Sequence, residues 1–151
     1  MTQEHKELLL KDLCARLPYN LRVYDKNGNF NTSYVNLLHI NGKVAEAFIG
    51  IGLQCRTAPI DEIRPYLFPL SSMTEEQAED LFKTFGLVLP SIEEDYIKIN
   101  EVTGITFFLL QGFDVETHLD KLVDWLNKNH FDWRGLIPIG LAIDATGLNI
   151  Y

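Results

Sequence analysis

The chain has 151 residues, 46% of them hydrophobic and 23% charged, and its formal net charge is −8. This length predicts a single domain, residues 1–151, that buries a core without disulfide or metal support, and the composition excludes wholesale disorder. Because Lys and Arg drive phosphate binding, the acidic balance argues against non-specific nucleic-acid binding. It fits a protein with a basic partner, although net charge also simply keeps a small protein soluble.

The two cysteines and the first residues indicate a reducing compartment. Cys14 and Cys55 lie far apart, whereas small secreted scaffolds carry more cysteines. Residues 1–7 lack the apolar region of a signal peptide, and no apolar run approaches the ~20 residues that cross a bilayer. We therefore expect a cytoplasmic protein with no membrane association.

The first predicted element is a helix over residues 4–17, which Pro18 ends. We expect Cys14 to face the core from this helix, as small buried thiols do. Four leucines recur at close to helical spacing: Leu9, Leu10, Leu13 and Leu17.

A small, curled antiparallel sheet is predicted next. Asn-Gly pairs are typical of two-residue hairpin turns, and Gly50 and Gly52 indicate a bulge or a sharp bend. The predicted elements are a strand from Leu21 to Tyr24, a turn at Asn27-Gly28, a strand over 33–40, a turn at Asn41-Gly42 and a strand over 44–51.

A proline-rich segment, residues 64–69, leaves this sheet. Pro65 and Pro69 have no N–H to donate, so we expect the segment at an edge or off the sheet. An SH3-like half-barrel is one form that such a sheet takes.

Two further helices and a β-hairpin complete an α+β fold. Thr74 and Gln77 have the spacing of a capping box at the start of a helix that Gly86 ends. Residues 96–110 predict the hairpin, and Asp114 predicts the cap of the last long helix. A boundary within the domain is expected near 86–92.

Motifs with a defined chemistry are missing from the sequence. Gly50 and Gly52 match only the first half of a dinucleotide-binding fingerprint, and neither the cysteines nor the four histidines have metal-ligand spacing. Ser71 and Ser72 precede a helix, where a hydroxyl could bind an anion, but capping explains them. We expect no metal, no cofactor and no catalytic residue, which leaves enzymatic activity open but not favoured.

His130, Asp132, Trp133 and Arg134 form the first candidate binding cluster. A histidine near a carboxylate suits general base chemistry. The same residues also suit the end of a helix, with Phe131 and Trp133 filling a core and Arg134 pairing with a helix carbonyl or carboxylate. Both interpretations stay open on the sequence.

Arg64, Tyr66 and Phe68 form the second candidate binding cluster. Their spacing of two places them on one face of an extended segment. An arginine among aromatic side chains could recognise a peptide, a nucleotide or an RNA base. The alternative is that the two rings close the sheet from below.

Three stretches give the chain a resemblance to a family of small phage and prophage proteins of gut Bacteroidetes. These are residues 7–18 (Glu-Leu-Leu-Leu-Lys-Asp-Leu-Cys-Ala-Arg-Leu-Pro), residues 63–76 and residues 124–143, which include His-Phe-Asp-Trp-Arg-Gly-Leu. The resemblance implies a gene on a mobile element and a small protein inside a bacterial host cell. It implies no catalytic residues. The chain departs from the family's pattern at Phe68, at Trp133 and after Ile143, and Phe68 replaces a residue that is often basic.

The function expected from these observations is a non-enzymatic accessory protein that binds a host or phage macromolecule, with a protein as the expected partner. A nucleotide- or signalling-molecule-binding protein or hydrolase using Arg64, Tyr66 and Arg134 is one alternative. A homo-oligomeric structural protein is the other.

Overall fold

The computed structural model describes residues 1–26, 33–41, 44–51, 54–84 and 115–151. It confirms the α+β class, with helices and a mixed sheet. The helices are α1 (Gln3–Arg16), α2 (Glu75–Thr84) and α3 (Val115–Lys128), and the strands are β1 (Arg22–Asp25), β2 (Ser33–Asn41), β3 (Val44–Ile51), β4 (Gln54–Pro59), β5 (Ile63–Leu67) and β6 (Ile143–Asp144).

The chain divides into two compact units. The first, called the sheet unit below, consists of Met1–Leu67 and Arg134–Tyr151, and the second, called the helical unit, is Phe68–Trp133. Several predictions concern residues outside the described ranges, and they stay predictions. They are the turns at Asn27-Gly28 and Gly42, the helix end at Gly86, the boundary near 86–92, the hairpin over 96–110 and the cap at Asp114.

Helix α1 packs one face against the sheet unit's core. Thr2 begins the helix by accepting a hydrogen bond from the His5 amide at 3.2 Å. Cys14 is exposed, so the prediction that it faces the core is wrong. Position 14 lies about 140° around the helix from position 9, away from the buried stripe. That stripe consists of Leu9, Asp12, Leu13 and Arg16.

Within the described residues, the sheet has six strands in the order β4-β3-β2-β1-β5-β6. Their pairings are antiparallel except that of β5 with β6. The pairing of β2 with β3 shifts register between Val35 and Leu37. The bulge therefore lies on β2, whereas Gly50, where it was predicted, keeps a regular pair on both sides. Gly52 lies outside the described residues.

Strand β5 is not an edge strand, which corrects the prediction for Pro65. It pairs with β1 on one side and with β6 on the other. The Lys26 amide donates to the Glu62 carbonyl at 3.0 Å, which fixes the alternation of hydrogen-bonded pairs between β1 and β5. Pro65, opposite Val23, then falls at a position without hydrogen bonds to β1. The sheet accommodates the proline because no donor is needed there.

An ion pair between β4 and β1 indicates that the sheet curls. Arg56 on β4 donates from Nε to Asp25 on β1 at 2.6 Å, although β3 and β2 lie between these strands in the sheet order. In a flat sheet, β4 and β1 would be about 14 Å apart. Curling brings the two side chains together and supports the predicted curled sheet, while its SH3-like form stays a prediction.

The sheet unit's core lies between α1 and the concave side of the sheet. Its buried apolar side chains come from α1, from β1 to β5 and the residues that flank them, and from the segment after Arg134. They are Leu9, Leu13, Leu21, Val23, Val35, Ala47, Ile49, Ala58, Ile60, Ile63, Leu67, Leu136, Leu141 and Ala142.

The helical unit begins its first helix with the predicted capping box, which is confirmed. The Gln77 amide donates to Thr74 Oγ1 at 3.2 Å, and the Thr74 amide donates to Gln77 Oε1 at 2.9 Å. The Trp125 indole of α3 donates to Asp80 of α2 at 2.8 Å, which ties the two helices. The buried residues of this unit's core are Leu81, Leu122, Trp125, Leu126 and Phe131.

Candidate functional sites

Arg64, in the sheet unit, uses its guanidinium to hold backbone carbonyls. Nε donates to Gly140 O at 3.0 Å, and Nη1 donates to Asp61 O at 3.1 Å and Ile63 O at 2.7 Å. These bonds connect the start of β5 to the backbone at Gly140. A ligand that recruited this guanidinium would compete with three carbonyls, so Arg64 has a structural role whether or not it binds anything.

Tyr66 shares the sheet unit with Arg64, whereas Phe68 belongs to the helical unit. Tyr66 is 6% exposed and belongs to the sheet unit, where burial, and then the neighbouring Tyr24, raise the pKa of its phenol. Phe68 belongs to the helical unit and packs, half-buried, against its aromatic core. The alternative that both rings close the sheet from below stays a prediction. A binding role for the three residues stays a prediction.

The segment His130–Trp133 ends α3 with a Schellman motif. The Phe131 amide donates to Leu126 O at 2.9 Å and the His130 amide to Asn127 O at 3.2 Å, which are the two bonds of that motif. His130 takes the left-handed position with φ 59°, where glycine is usual. Because no glycine marks this position, the helix end could be predicted from the residues but the Schellman geometry could not.

Aromatic packing completes this helix end. Phe131 is fully buried and stacks on Trp125 with ring centroids 5.7 Å apart. The Trp133 indole donates to Asn127 Oδ1 at 2.9 Å. His130 and Asp132 are buried beside it, each 7% exposed. This arrangement matches the interpretation of the segment as a core-filling helix end, and a binding role for it stays a prediction.

Arg134 belongs to the sheet unit, where it joins a buried charge network with α1. Arg16 Nε lies 2.8 Å from Asp12 Oδ2, and Arg134 Nε lies 3.2 Å from Asp12 Oδ1. The side chains of Asp12 and Arg16 are 0% exposed and that of Arg134 is 13% exposed. One carboxylate thus balances two guanidiniums away from water.

Burial and the neighbouring charges have opposing effects on Arg134 in this network. Burial lowers the pKa of Arg134, the neighbouring Arg16 lowers it further, and Asp12 opposes both. Removing one member of such a network is strongly destabilising, because it leaves a buried charge uncompensated. The network matches the expected pairing of Arg134 with a carboxylate of a helix.

Asp12 and Arg16 were missed as candidates, although the sequence carries a signal for them. They occupy positions i+3 and i+7 of the stripe that begins at Leu9, and they are four residues apart, the spacing of a helical ion pair. Charged residues inside an apolar stripe predict a buried pair. Nothing near α1 in the sequence indicates that the third member is Arg134.

Strand β4 gives the sheet an open edge. It pairs with β3 along its whole length, and within the described residues no strand pairs with its other side. Ile51 and Gln54 pair with two residues between them, as in the hydrogen-bonded pair that closes a hairpin. Every second residue of β4, beginning with Gln54, directs its backbone groups toward β3. The backbone groups of Cys55 and Thr57 therefore point away from β3.

The side chains of β4 alternate in the same register. Cys55, Thr57 and Pro59 are exposed, whereas Arg56 is half-buried and Ala58 is buried. An incoming strand would meet two N–H donors at this edge and, because proline has none, only a carbonyl at position 59. The edge of β4 is therefore short. It presents backbone N–H donors at Cys55 and Thr57 and only a carbonyl acceptor at Pro59.

Comparison with protein-family models, curated proteins and solved structures gave no match for the chain. Among the residues that the structure describes, no three His, Cys, Asp or Glu side chains group to hold a metal ion. In the same part of the chain, no helix is both long and apolar enough to cross a bilayer.

Proposed function

We propose that the chain is a non-enzymatic accessory protein of a phage or mobile element, and that it binds an extended segment of a host or phage protein along β4. The observation that carries this proposal is the edge of β4, which no strand covers within the described residues, with the backbone groups of Cys55 and Thr57 directed outward. Strand addition of this type derives affinity from main-chain hydrogen bonds and specificity from alternate side chains.

Charge supports a basic partner segment. The chain carries 21 Asp and Glu against 13 Lys and Arg, and opposite net charge speeds the encounter of two proteins. Near the edge, Glu46 lies opposite Pro59 in the register of β3 and β4. We expect Lys or Arg in the partner segment on the side that faces Glu46.

The resemblance to phage and prophage proteins supports action inside a bacterial host cell. An acidic protein encoded there could occupy a basic surface on a host protein, including one that normally holds nucleic acid. The bacterial cytoplasm is therefore the proposed location, and direct non-specific binding of nucleic acid is not part of the proposal.

The test is a selection of random ten-residue peptides on the immobilised full chain, followed by affinity measurements with three proteins. Thr57→Pro removes an outward donor but leaves the ladder with β3 intact, and Thr57→Ala is its control because it keeps the N–H. We expect Thr57→Pro to weaken selected peptides by at least about tenfold, the loss of one hydrogen bond together with a clash. Thr57→Ala should bind like the wild type.

Two results would contradict the proposal. One is a set of peptides that binds wild type and Thr57→Pro equally well. The other is turnover of a defined substrate by the purified protein that His130→Ala or Asp132→Ala abolishes, which would establish an enzyme. Nucleotide-dependent thermal stabilisation that Arg64→Ala removes would favour the small-molecule alternative instead, and light scattering of the free protein would expose a homo-oligomer.

A further inference from the structure

The ladder between β1 and β5 stops before either strand ends. Their register pairs Asp25 with Ile63 and continues to Val23 opposite Pro65. The next pair would be Arg22 opposite Tyr66, and both residues still belong to their strands. The pair Val23–Pro65, which exchanges no bond itself, rests on the flanking bond from the Tyr66 amide to the Arg22 carbonyl, so the groups left for another partner are the Arg22 amide and the Tyr66 carbonyl.

The direction of the Arg22 amide follows from the neighbouring strand. The Val35 amide donates to Leu21 O at 3.1 Å, so odd-numbered residues of β1 face β2. Arg22, which pairs with Tyr34 in β2 without such a bond, then directs its N–H toward β5. The alternation set by Lys26 and Glu62 on the other side of β1 gives the same direction.

Tyr151 fills the gap with its hydroxyl. The oxygen accepts a hydrogen bond from the Arg22 amide at 3.2 Å and donates one to the Tyr66 carbonyl at 2.8 Å. Although 41% of Tyr151 is exposed, its hydroxyl lies between the two strands. A phenol thus bridges one of the two hydrogen bonds that a regular pair of Arg22 and Tyr66 would form.

The chemistry of this gap fits a hydroxyl. One wall offers an N–H donor and the other a carbonyl acceptor, so only a group that both accepts and donates satisfies the two. An ammonium group would leave the Arg22 amide unpaired, and a carboxylate would leave the Tyr66 carbonyl unpaired. Burial raises the pKa of the Tyr151 phenol, despite Arg22 and Arg16 nearby, so the hydroxyl keeps the proton that it donates.

An exposed loop carries the Tyr151 ring to the gap. The Ala145 amide donates to Leu67 O at 2.8 Å and fixes the start of the loop. The Thr146 amide donates to the Asp144 carboxylate and the Leu148 amide to Ala145 O, and both bonds are local. Residues 146–149 are exposed. Moving residues 146–151, called the strap below, therefore disturbs little of the buried core.

We propose that the gap between Arg22 and Tyr66 is a phenol-binding slot, which the strap fills with Tyr151 and which accepts a phenol supplied in trans when Tyr151 is withdrawn. The ligand chemistry is an aromatic hydroxyl, from a tyrosine side chain of a partner or from a small free phenol. This slot lies between β1 and β5, whereas the proposed peptide edge is β4 at the end of the sheet order, so each proposal can fail without the other.

The experiment is chemical rescue of the full-length Tyr151→Ala variant, followed by thermal unfolding. We expect a melting temperature several degrees below that of the wild type, and p-cresol should raise it saturably. Wild type should not respond to p-cresol, because Tyr151 occupies the slot, and toluene should not rescue the variant, because it has no hydroxyl. The peptide Ala-Ala-Tyr-Ala-Ala, compared with its phenylalanine counterpart, tests the tyrosine source.

Rescue by p-cresol alone supports a free phenol as the ligand, and rescue by the tyrosine peptide supports a partner side chain. A p-cresol effect that is absent, or equal in wild type and variant, would overturn the proposal. Tyr151→Phe is a second variant in case Tyr151→Ala does not fold, because it keeps the ring and removes only the hydroxyl. In that variant the Arg22 amide should exchange at least about tenfold faster, as an unpaired strand amide does, and an unchanged rate would also overturn the proposal.

Discussion

The two units of the chain bury different kinds of chemistry. Arg16 is the largest fully buried side chain of the sheet unit, and it shares Asp12 with Arg134. The helical unit has at its centre the stacked rings of Trp125 and Phe131. The comparison teaches that the sheet unit depends on keeping charges paired, whereas the helical unit depends on filling space.

Asp12→Ala is the strongest test of whether the sheet unit depends on paired buried charges. It leaves two guanidiniums in the sheet unit without their carboxylate, and we expect a loss of about 3–5 kcal/mol in the free energy of unfolding. Urea unfolding followed by circular dichroism measures it. Glu7→Ala, an exposed change on the same helix, should stay within about 0.5 kcal/mol.

A triple variant tests whether the cost of Asp12→Ala comes from the two arginines left unpaired. Asp12→Leu combined with Arg16→Met and Arg134→Met removes the network as a whole, and such apolar replacements are often neutral or stabilising. We expect it to recover most of what Asp12→Ala loses. If Asp12→Ala alone cost less than about 1 kcal/mol, the network would not be the determinant described above.

Phe131→Ala tests the helical unit by making a cavity. We expect a loss of roughly 3 kcal/mol, the low end for aromatic residues, because the rings of Trp125 and Phe68 can close part of the space. Both tryptophans of the chain, Trp125 and Trp133, lie in this unit, so tryptophan fluorescence follows it during unfolding. A loss below about 1 kcal/mol would show that space filling does not hold this unit together.

His130→Gly distinguishes the effect of the left-handed backbone at the helix end from the effect of the imidazole side chain. Glycine relieves the left-handed conformation, worth about 1–2 kcal/mol, but it also costs about 0.5–1 kcal/mol through the freedom of the unfolded chain. We therefore expect a net change within about 1 kcal/mol, measured by thermal unfolding with His130→Asn as the control. A loss above about 2 kcal/mol would mean that the imidazole itself is essential to this unit.

The smallest expected effect is that of Lys6→Ala at the surface. Lys6 lies 3.1 Å from Asp61, and this contact lowers the pKa of Asp61. Since the folded pKa is the lower one, the pair contributes above the unfolded pKa of Asp61, and the contribution disappears as pH falls through the folded value. Both side chains are over 40% exposed, so we expect less than about 1 kcal/mol at pH 7 and none near pH 2. Unfolding at the two pH values checks this.

Local features of the fold could be predicted from the sequence because their causes are local. The capping box needs only Thr74 and Gln77, and the end of the first helix needs only Pro18 nearby. The placement of β5 could not be predicted, since Pro65 excludes hydrogen bonds on one face of a strand but does not exclude a neighbour at the next residues. That neighbour, β6, comes from a distant part of the chain.

The candidate sites show the same division. The core-filling alternative for Phe131 and Trp133 followed from their aromatic character beside a helix end. The ligand-like role of Tyr151 could not be predicted, because Arg22 and Tyr66 meet it only through the sheet. The edge at β4 likewise depends on the order of all six strands, which no single segment of sequence specifies.

Amide hydrogen exchange of β4, in the free protein and with a selected basic peptide bound, tests the proposed function most directly. In the free protein we predict fast exchange at Cys55 and Thr57 and slow exchange at Arg56 and Ala58, whose amides face β3. On binding, the amides of Cys55 and Thr57 should become protected while those of Arg56 and Ala58 stay unchanged. Protection of Cys55 and Thr57 in the free protein, or no change on binding, would contradict the role of this edge.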